Sequence, residues 1–483
     1  MNNKFYITSA IPYVNAKPHI GHALEFIQAD TIARLHRTRG DDTLYLCGSD
    51  ENALKNVQAA ETAKIPLQKF VDTNAEAFED LARVLNVQFD VFQKGSDPKH
   101  HAASQKLWEL CVKSGDIYKK TYTGLYCVGC EMFYTPSELN ENGECFEHPG
   151  KKLEGVSEEN YFFKLSKYQD KLLSLIEKNQ YEIVPDFRRN EVLAFIRSGL
   201  EDFSVSRSNT RAKNWGVPVP EDPNQRMYVW FDALNIYQSG IGFGTDDAAY
   251  KLWWPADLHV IGKGIIRFHA IYWPAILLSA GLALPKKLFV HEYFTVNGQK
   301  MSKTLGNVYD PIPLAEKYGA DALRYYCLAK ISPFSDGDFS EEKFIESYNS
   351  DLANGLGNLV ARIAKLCETA LYKQTSSQGG NSTHLVEDET YTKALSEFRF
   401  NEALEIVWTK VRDLDKFISQ EKPWELAKAH NPRLDAVLGH SVDRLQEIAA
   451  LLKPFLPETA EKIIDQFQGP EIKSGDPLFP RII

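Results

Sequence analysis

Positive charge is in short supply in this chain. Its 483 residues carry 55 Lys and Arg against 65 Asp and Glu, a formal net charge of −10, so the overall field attracts no polyanion and any nucleic-acid contact must come from a local basic face. Long apolar runs are missing too. The most apolar stretch, Ala270 to Leu284, is broken by Pro274 and Gly281 and falls short of the roughly 18 residues a membrane span needs. It reads as a buried helix, and no membrane partner is expected. The opening residues MNNKFYITSA show no basic region followed by an apolar one, so neither a secretory signal nor a transit peptide is expected. Cysteine is sparse and odd in number, seven in all, which suits thiols used as ligands or core fillers in a reducing compartment. A cytoplasmic location follows as an expectation. No Gly-x-Gly-x-x-Gly follows the first strand-like segment, which disfavours a nicotinamide enzyme.

What is present describes a large soluble protein. Apolar residues make up 43% and charged residues 25%, and the length exceeds what one hydrophobic core serves, so several packed units are expected. Lys4 to Ser9 reads as a buried strand, a helical pattern begins near His19 after Pro12 and Pro18, and Thr43 to Cys47 reads as a second strand. This β-loop-α-β opening predicts a doubly wound parallel sheet of the α/β class, whose ligands sit beyond the carboxyl ends of its strands. Short aromatic strands and clustered cysteines from about Ile117 to Gln225 predict an inserted domain. Strand and helix segments then resume at Met227 and complete the sheet. From Glu341 onward apolar residues recur three and four apart, as in Leu352, Leu356, Leu359 and Ile363, which predicts a helical bundle. The polar stretch Gln374 to Thr390 reads as a loop between two of its helices.

Two segments carry chemistry. His19-Ile20-Gly21-His22 stands where a turn hands over to a helix, so helix amides and two imidazoles converge where an anion is favoured. Gly21 removes a side chain where a flat group such as adenine could approach the backbone. Lys300-Met301-Ser302-Lys303-Thr304 lies on a loop after the strand-like Leu288 to Val290, where lysines can draw on a triphosphate. Each motif alone is weak, with histidine capping or a solvated basic loop as the plain alternative. A third group is stronger: Cys127-x-x-Cys130 and Cys145-x-x-His148, with fourteen residues between the pairs, can close three thiolates and one imidazole on one structural Zn2+.

The two motifs in this order resemble the HIGH and KMSKS signatures of the class I aminoacyl-tRNA synthetases, with Thr304 in place of the final Ser. Three further blocks make the chain similar to the methionyl-tRNA synthetases within that class: Ala10 to Asn15, Tyr228 to Leu234 and Phe268 to Pro274. The resemblance implies a split Rossmann-like sheet with an inserted zinc-knuckle connective domain and a C-terminal α-helical bundle. Its boundaries would be 1–116 and 226–320 for the catalytic halves, 117–225 for the insert, 321–350 for a stem-contact connector and 351–483 for an anticodon-binding bundle. It implies ATP, Mg2+ and L-methionine as small-molecule partners and tRNA(Met) as the macromolecular one. His19, His22, Lys300 and Lys303 would be catalytic, and Pro12, Gly21, Gly262, Met301 and Ser302 would contact ATP. Ile11, Tyr13, Asp50, Trp230, Ala233, Tyr237 and His269 would hold methionine, with Trp273 behind them. Aromatic walls suit a long, polarizable thioether. Asn358, Arg362 and Trp424 would read the anticodon, by hydrogen bonding and stacking on unpaired bases. Arg188, Arg189, Arg211, Lys213, Lys286 and Lys287 are candidates for phosphate contacts.

Two positions depart from the family's pattern. Gly264 stands where a carboxylate helps to hold the ATP ribose, and Glu292 follows His291 where a small residue is usual. Leucyl, isoleucyl or valyl enzymes resemble chains with a much larger insert, which argues against them. A non-catalytic RNA-binding paralogue is disfavoured by the intact His19, His22, Lys300 and Lys303 and kept open by Gly264. With no appended module evident, a monomer is expected.

Overall fold

The computed structural model describes residues 3–482 apart from 128–131, 135–137, 146–149, 297, 302–307 and 374–387, and without the side chains at 132, 133 and 300. Six strands form the central sheet: β1 (Lys4–Ser9), β2 (Asp42–Ser49), β3 (Val91–Lys94), β4 (Glu182–Val184), β5 (Leu258–Gly262) and β6 (Lys287–His291). Their spatial order is β3-β2-β1-β5-β6-β4, and every neighbouring pair is parallel. Side chains alternate between two cores because successive residues of a strand face opposite sides. Tyr6, Leu46, Ile261, Leu288 and Val290 enter one cluster, while Ile7, Tyr45, Cys47, Val260 and Phe289 enter the other. A sheet covered on both faces needs apolar residues at successive positions, and β5 is buried along its whole length.

Helix α1 (Ile20–Thr38) follows β1 and packs with the first core. From β1 the chain builds outward to β2 and β3 on one side, whereas β5 and β6 lie on the other. The reversal between β1 and β5 opens a crevice at their carboxyl ends, which is where an open α/β sheet places its ligand. The sheet's sixth strand, β4, comes from within the stretch 117–225. That stretch also holds a separate four-stranded sheet of Ile117–Cys127, Met132–Tyr134, Glu154–Phe163 and Phe203–Ser204.

From Glu341 the described chain is mostly helical, and Leu352, Leu356, Leu359 and Ile363 are all fully buried or nearly so. The Glu389–Ser396 helix begins inside the stretch expected to be a loop up to Thr390, because Asp388 caps it by accepting from the Tyr391 amide at 3.1 Å. These helices sit on the sheet directly: Phe289 of β6 stacks on Phe398 with centroids 4.4 Å apart. Arg324, fully buried, ties the parts together. Its guanidinium pairs with Asp30 of α1 at 2.8 Å and donates to the carbonyls of Leu85, Pro454 and Phe455. The apolar stretch from Ala270 forms a buried helical turn followed by the Trp273–Ser279 helix.

Candidate functional site

The start of α1 is built by its two histidines. His19 is the N-cap, extended at φ −132 and ψ 174, and its Nδ1 accepts from the Gly21 amide at 3.1 Å. His22 reciprocates, accepting from the His19 amide through Nδ1 at 3.1 Å, which is the capping-box arrangement with imidazoles in both roles. A nitrogen that accepts from an amide carries no hydrogen, so Nε2 bears the proton of each ring. The rings stack with centroids 3.9 Å apart, and His22 meets the edge of Phe78. A Cβ on Gly21 would lie 2.9 Å from His19 Cε1 and 3.5 Å from Met301 Cε. A side chain at Gly21 would therefore crowd the cap, and Met301 of the second motif reaches the same spot.

A backbone bond makes the same join. The Ile20 amide donates to the Tyr309 carbonyl at 3.0 Å, so the segment that follows Lys300 returns to the N-terminus of α1. Gln299 and Lys300 pair with Phe294–Val296 in a two-residue ladder. Ser302 and Lys303 lie outside the described residues, as does the side chain of Lys300, together with Cys130 and His148 of the metal group.

Behind the helix start, Glu25 joins three strand ends. Its Oε1 accepts from the Ala10 amide just past β1 at 2.8 Å, and Oε2 accepts from the Gly262 amide at 3.1 Å and lies 3.0 Å from His291 Nε2. The sequence reading did not single out Glu25. It sits three residues after His22 on α1, on the same face, and a carboxylate there looks like an ordinary helical acid until its burial is known.

The residues proposed for the methionine side chain form one connected cluster. The Asp50 amide donates to the Pro12 carbonyl at 2.9 Å, and Tyr13 bridges to Asp50. The Tyr13 and Trp230 rings meet edge to face at 5.9 Å, and Trp230 stacks on Phe268 at 3.8 Å. Tyr237 lies 2.8 Å from His269 Nε2, while His269 Nδ1 donates to the Ile265 carbonyl at 3.0 Å. Nδ1 thus holds the hydrogen, and the Tyr237 hydroxyl donates to Nε2. Burial pushes the His269 imidazole down to about 4, so it is neutral at ordinary pH. Ile11 and Ala233 are buried, Trp273 fully so, and Trp230 Nε1 is a buried donor without a hydrogen-bond partner among the described residues. Asp50 is likewise buried. Aromatic side chains packed near a buried carboxylate are the groups that suit a small amino acid with an apolar side chain.

The two departures have structural accounts. A Cβ at Gly264 would lie 1.9 Å from the Tyr293 hydroxyl, so the phenol occupies the space that a side chain there would need. Glu292 is buried between two cations: Arg188 grips Oε1 through Nε and Nη2, and Lys263 reaches Oε2 at 2.7 Å. Lys263 also pairs with Asp336 at 2.6 Å.

At the helical end the candidates range from half-buried to exposed. Asn358 is exposed, Arg362 pairs with Asp415 at 3.2 Å, and Trp424 is 38% exposed. The six basic residues considered for phosphates all have partners within the chain. Arg188, Arg211, Lys213, Lys286 and Lys287 form ion pairs with Glu292, Glu154, Glu61, Asp257 and Glu182, and Arg189 donates to two carbonyls. In the insert, the buried Cys127 and Cys145 sulfurs are 3.3 Å apart.

Known proteins provide the comparison. A sequence model of the family tRNA synthetases class I (M) matches residues 5–364. The methionine--tRNA ligase of Thermotoga maritima is 41% identical over 508 aligned positions, covering 99% of this chain and 80% of its own length. That of Rhizobium meliloti is 42% identical, covering 99% and 98%. Among solved structures, Mycobacterium tuberculosis methionyl-tRNA synthetase in complex with methionyl-adenylate superposes with a TM-score of 0.91 at 37% identity, covering 99% of this chain and 100% of that one.

Proposed function

The chain belongs to the class I tRNA synthetases, and on that premise we propose that it is a methionine--tRNA ligase which activates L-methionine with ATP and passes it to the 3′ end of tRNA(Met). In the first step a methionine carboxylate oxygen attacks the α-phosphorus. The bond to the bridging oxygen breaks, and pyrophosphate leaves with the electron pair; a bound Mg2+ would offset the phosphate charge. In the second, a hydroxyl of the terminal ribose attacks the carbonyl carbon of methionyl-adenylate, and AMP departs. No side chain forms a covalent bond, so the protein contributes position and electrostatic stabilisation.

The residues take their roles from the crevice. His19 and His22 present Nε2–H donors beside the α1 amides, where charge grows on the phosphoryl oxygens, and Lys300 and Lys303 take the pyrophosphate end. Pro12, Gly21, Gly262, Met301 and Ser302 contact the nucleotide. Asp50 receives the ammonium group, and Ile11, Tyr13, Trp230, Ala233, Tyr237 and His269 enclose the thioether. A neutral His269 matters here, because a buried cation would penalise an apolar substrate side chain. What carries the reading is the meeting of two segments 280 positions apart, with Met301 in contact range of Gly21.

Cys127, Cys130, Cys145 and His148 would hold one Zn2+ in a structural role, and the adjacent buried thiols of Cys127 and Cys145 support that donor group. Asn358, Arg362 and Trp424 meet the anticodon from exposed helix faces, with the C-terminal helices as the anticodon-binding unit. On this reading the protein works as a cytoplasmic monomer. Among the described residues no helix is long and apolar enough to cross a membrane.

ATP–pyrophosphate exchange with each of the twenty amino acids tests the proposal. Methionine alone should drive exchange. Exchange with leucine, isoleucine or valine instead would assign a sister specificity, and none at all would favour a non-catalytic paralogue.

A further inference from the structure

The hairpin that bears Lys300 rests on a short segment outside the crevice. Phe294–Val296 pairs on one side with Gln299–Lys300 and on the other with Gly337–Phe339, so Thr295 stands between Lys300 and Asp338. The Asp338 carboxylate reaches around the turn. Its Oδ1 accepts from the Gly298 amide at 2.6 Å and the Thr295 hydroxyl at 2.9 Å, and Oδ2 accepts from Lys343 Nζ at 2.7 Å. Gly298 has φ +73, a left-handed turn residue outside the ladder pairs of the described residues. Lys343 first, and then the Gly298 amide, holds the Asp338 carboxyl below its usual range.

The far end of the same stretch is held from the same place. Glu341, three residues on, accepts from the Tyr309 hydroxyl at 2.8 Å and from the Tyr318 hydroxyl at 3.1 Å, and the Tyr309 carbonyl accepts the Ile20 amide of α1. Tyr309 also packs on Phe339 at 4.8 Å. Gly298 and Tyr309 are therefore both referenced to residues 338–341, and through Tyr309 to the histidine-capped start of α1. A ladder of two residue pairs is weak by itself, so the turn depends on this outside acceptor.

We propose that Asp338 is a positioning residue for adenylate formation, fixing through the Gly298 turn where the Lys300 backbone stands relative to the N-terminus of α1. The carboxylate touches no substrate and acts through Lys300. The inference rests on the reading that Lys300 meets the triphosphate.

Methionine-dependent ATP–pyrophosphate exchange tests it on the full chain with Asp338→Ala, Asp338→Asn and Lys343→Ala. Asp338→Ala should lower kcat about tenfold or more while leaving the KM for methionine within about twofold. Asp338→Asn, whose amide oxygen still accepts from Gly298 and Thr295, should keep most of the rate, and Lys343→Ala should stay near wild type. An Asp338→Ala kcat within twofold of wild type would overturn the proposal. So would equal losses in all three variants, because the Asp338–Lys343 pair and not the turn would then be what matters. Methionine binding without ATP, followed by tryptophan fluorescence, reports on folding, and loss of that binding together with exchange would also count against a positioning role. If the wild type itself shows no methionine-driven exchange, the functional reading falls first and takes this inference with it.

Discussion

In the crevice, Glu25 is 9% exposed and faces groups from the ends of three strands. At the helical end, Trp424 is 38% exposed, and among the described residues Arg362 pairs with Asp415 and Ser419 of one neighbouring helix. The two regions answer different demands. Stabilising charge on a reacting phosphoryl group needs donors held in a dry, preorganised site, whereas reading unpaired bases needs faces that RNA can reach. On the proposed reading, a residue of the crevice thus serves both the fold and the chemistry, and an exposed residue of the helical end serves binding.

Replacing Glu25 with Gln is the severest way to strain that contrast. One oxygen becomes a donor facing the Gly262 amide, and leaving a buried donor unsatisfied typically costs about 1–3 kcal/mol. Chemical denaturation should register a loss of that order along with reduced exchange. A loss below about 1 kcal/mol would mean that the strand ends are held by something else.

His269 sharpens the same point through pH. Its folded pKa of about 4 lies below the ordinary imidazole value of about 6.5, so between these values the unfolded chain binds a proton that the folded chain refuses. Its contribution is fully present above pH 6.5 and declines as pH falls towards 4, by about 3 kcal/mol in total. Denaturation midpoints at pH 7.5 and 5 should therefore converge in a His269→Gln variant relative to wild type. Parallel midpoints would place the titration elsewhere.

His22→Ala should cut exchange about a hundredfold and remove one side of the α1 cap, at about 1 kcal/mol, with tRNA affinity unchanged. Equal losses of exchange and tRNA binding would deny it a role confined to the crevice. Trp424→Ala is expected to do the reverse. Losing one stacked base weakens tRNA binding by about 1–2 kcal/mol, and both exchange and the thermal midpoint should be preserved. A fall in exchange would show that the two regions are coupled, for which buried Arg324, paired with Asp30 of α1 and bonded to the carbonyls of Pro454 and Phe455, offers a physical route.

Much of this was legible beforehand. The strand Lys4–Ser9 and a helix opening beside His19 follow from local pattern, and so does the buried stripe from Leu352 to Ile363. Other parts were not. β4 is three residues long and lies amid the insert's own helices, too short for any periodicity to announce, and only its pairing with β6 makes it part of the central sheet. Gly264 looked like a missing contact, but its significance depends on Tyr293, whose hydroxyl fills the space. Nothing in the local sequence singles out Asp338, because its contact with the Gly298 amide, at 2.6 Å, spans 40 positions.

The residues in their order dictated the two nucleotide motifs, the spacing of the thiols and the apolar periods of strand and helix, because each of these is written in neighbours a few positions apart. Strand order and packing alone decided that Gly21 meets Met301 and that Glu25 reaches His291, 266 positions away. Such contacts form only when a sheet built outward from β1 in both directions closes its two halves over one crevice, and no local pattern encodes that distance.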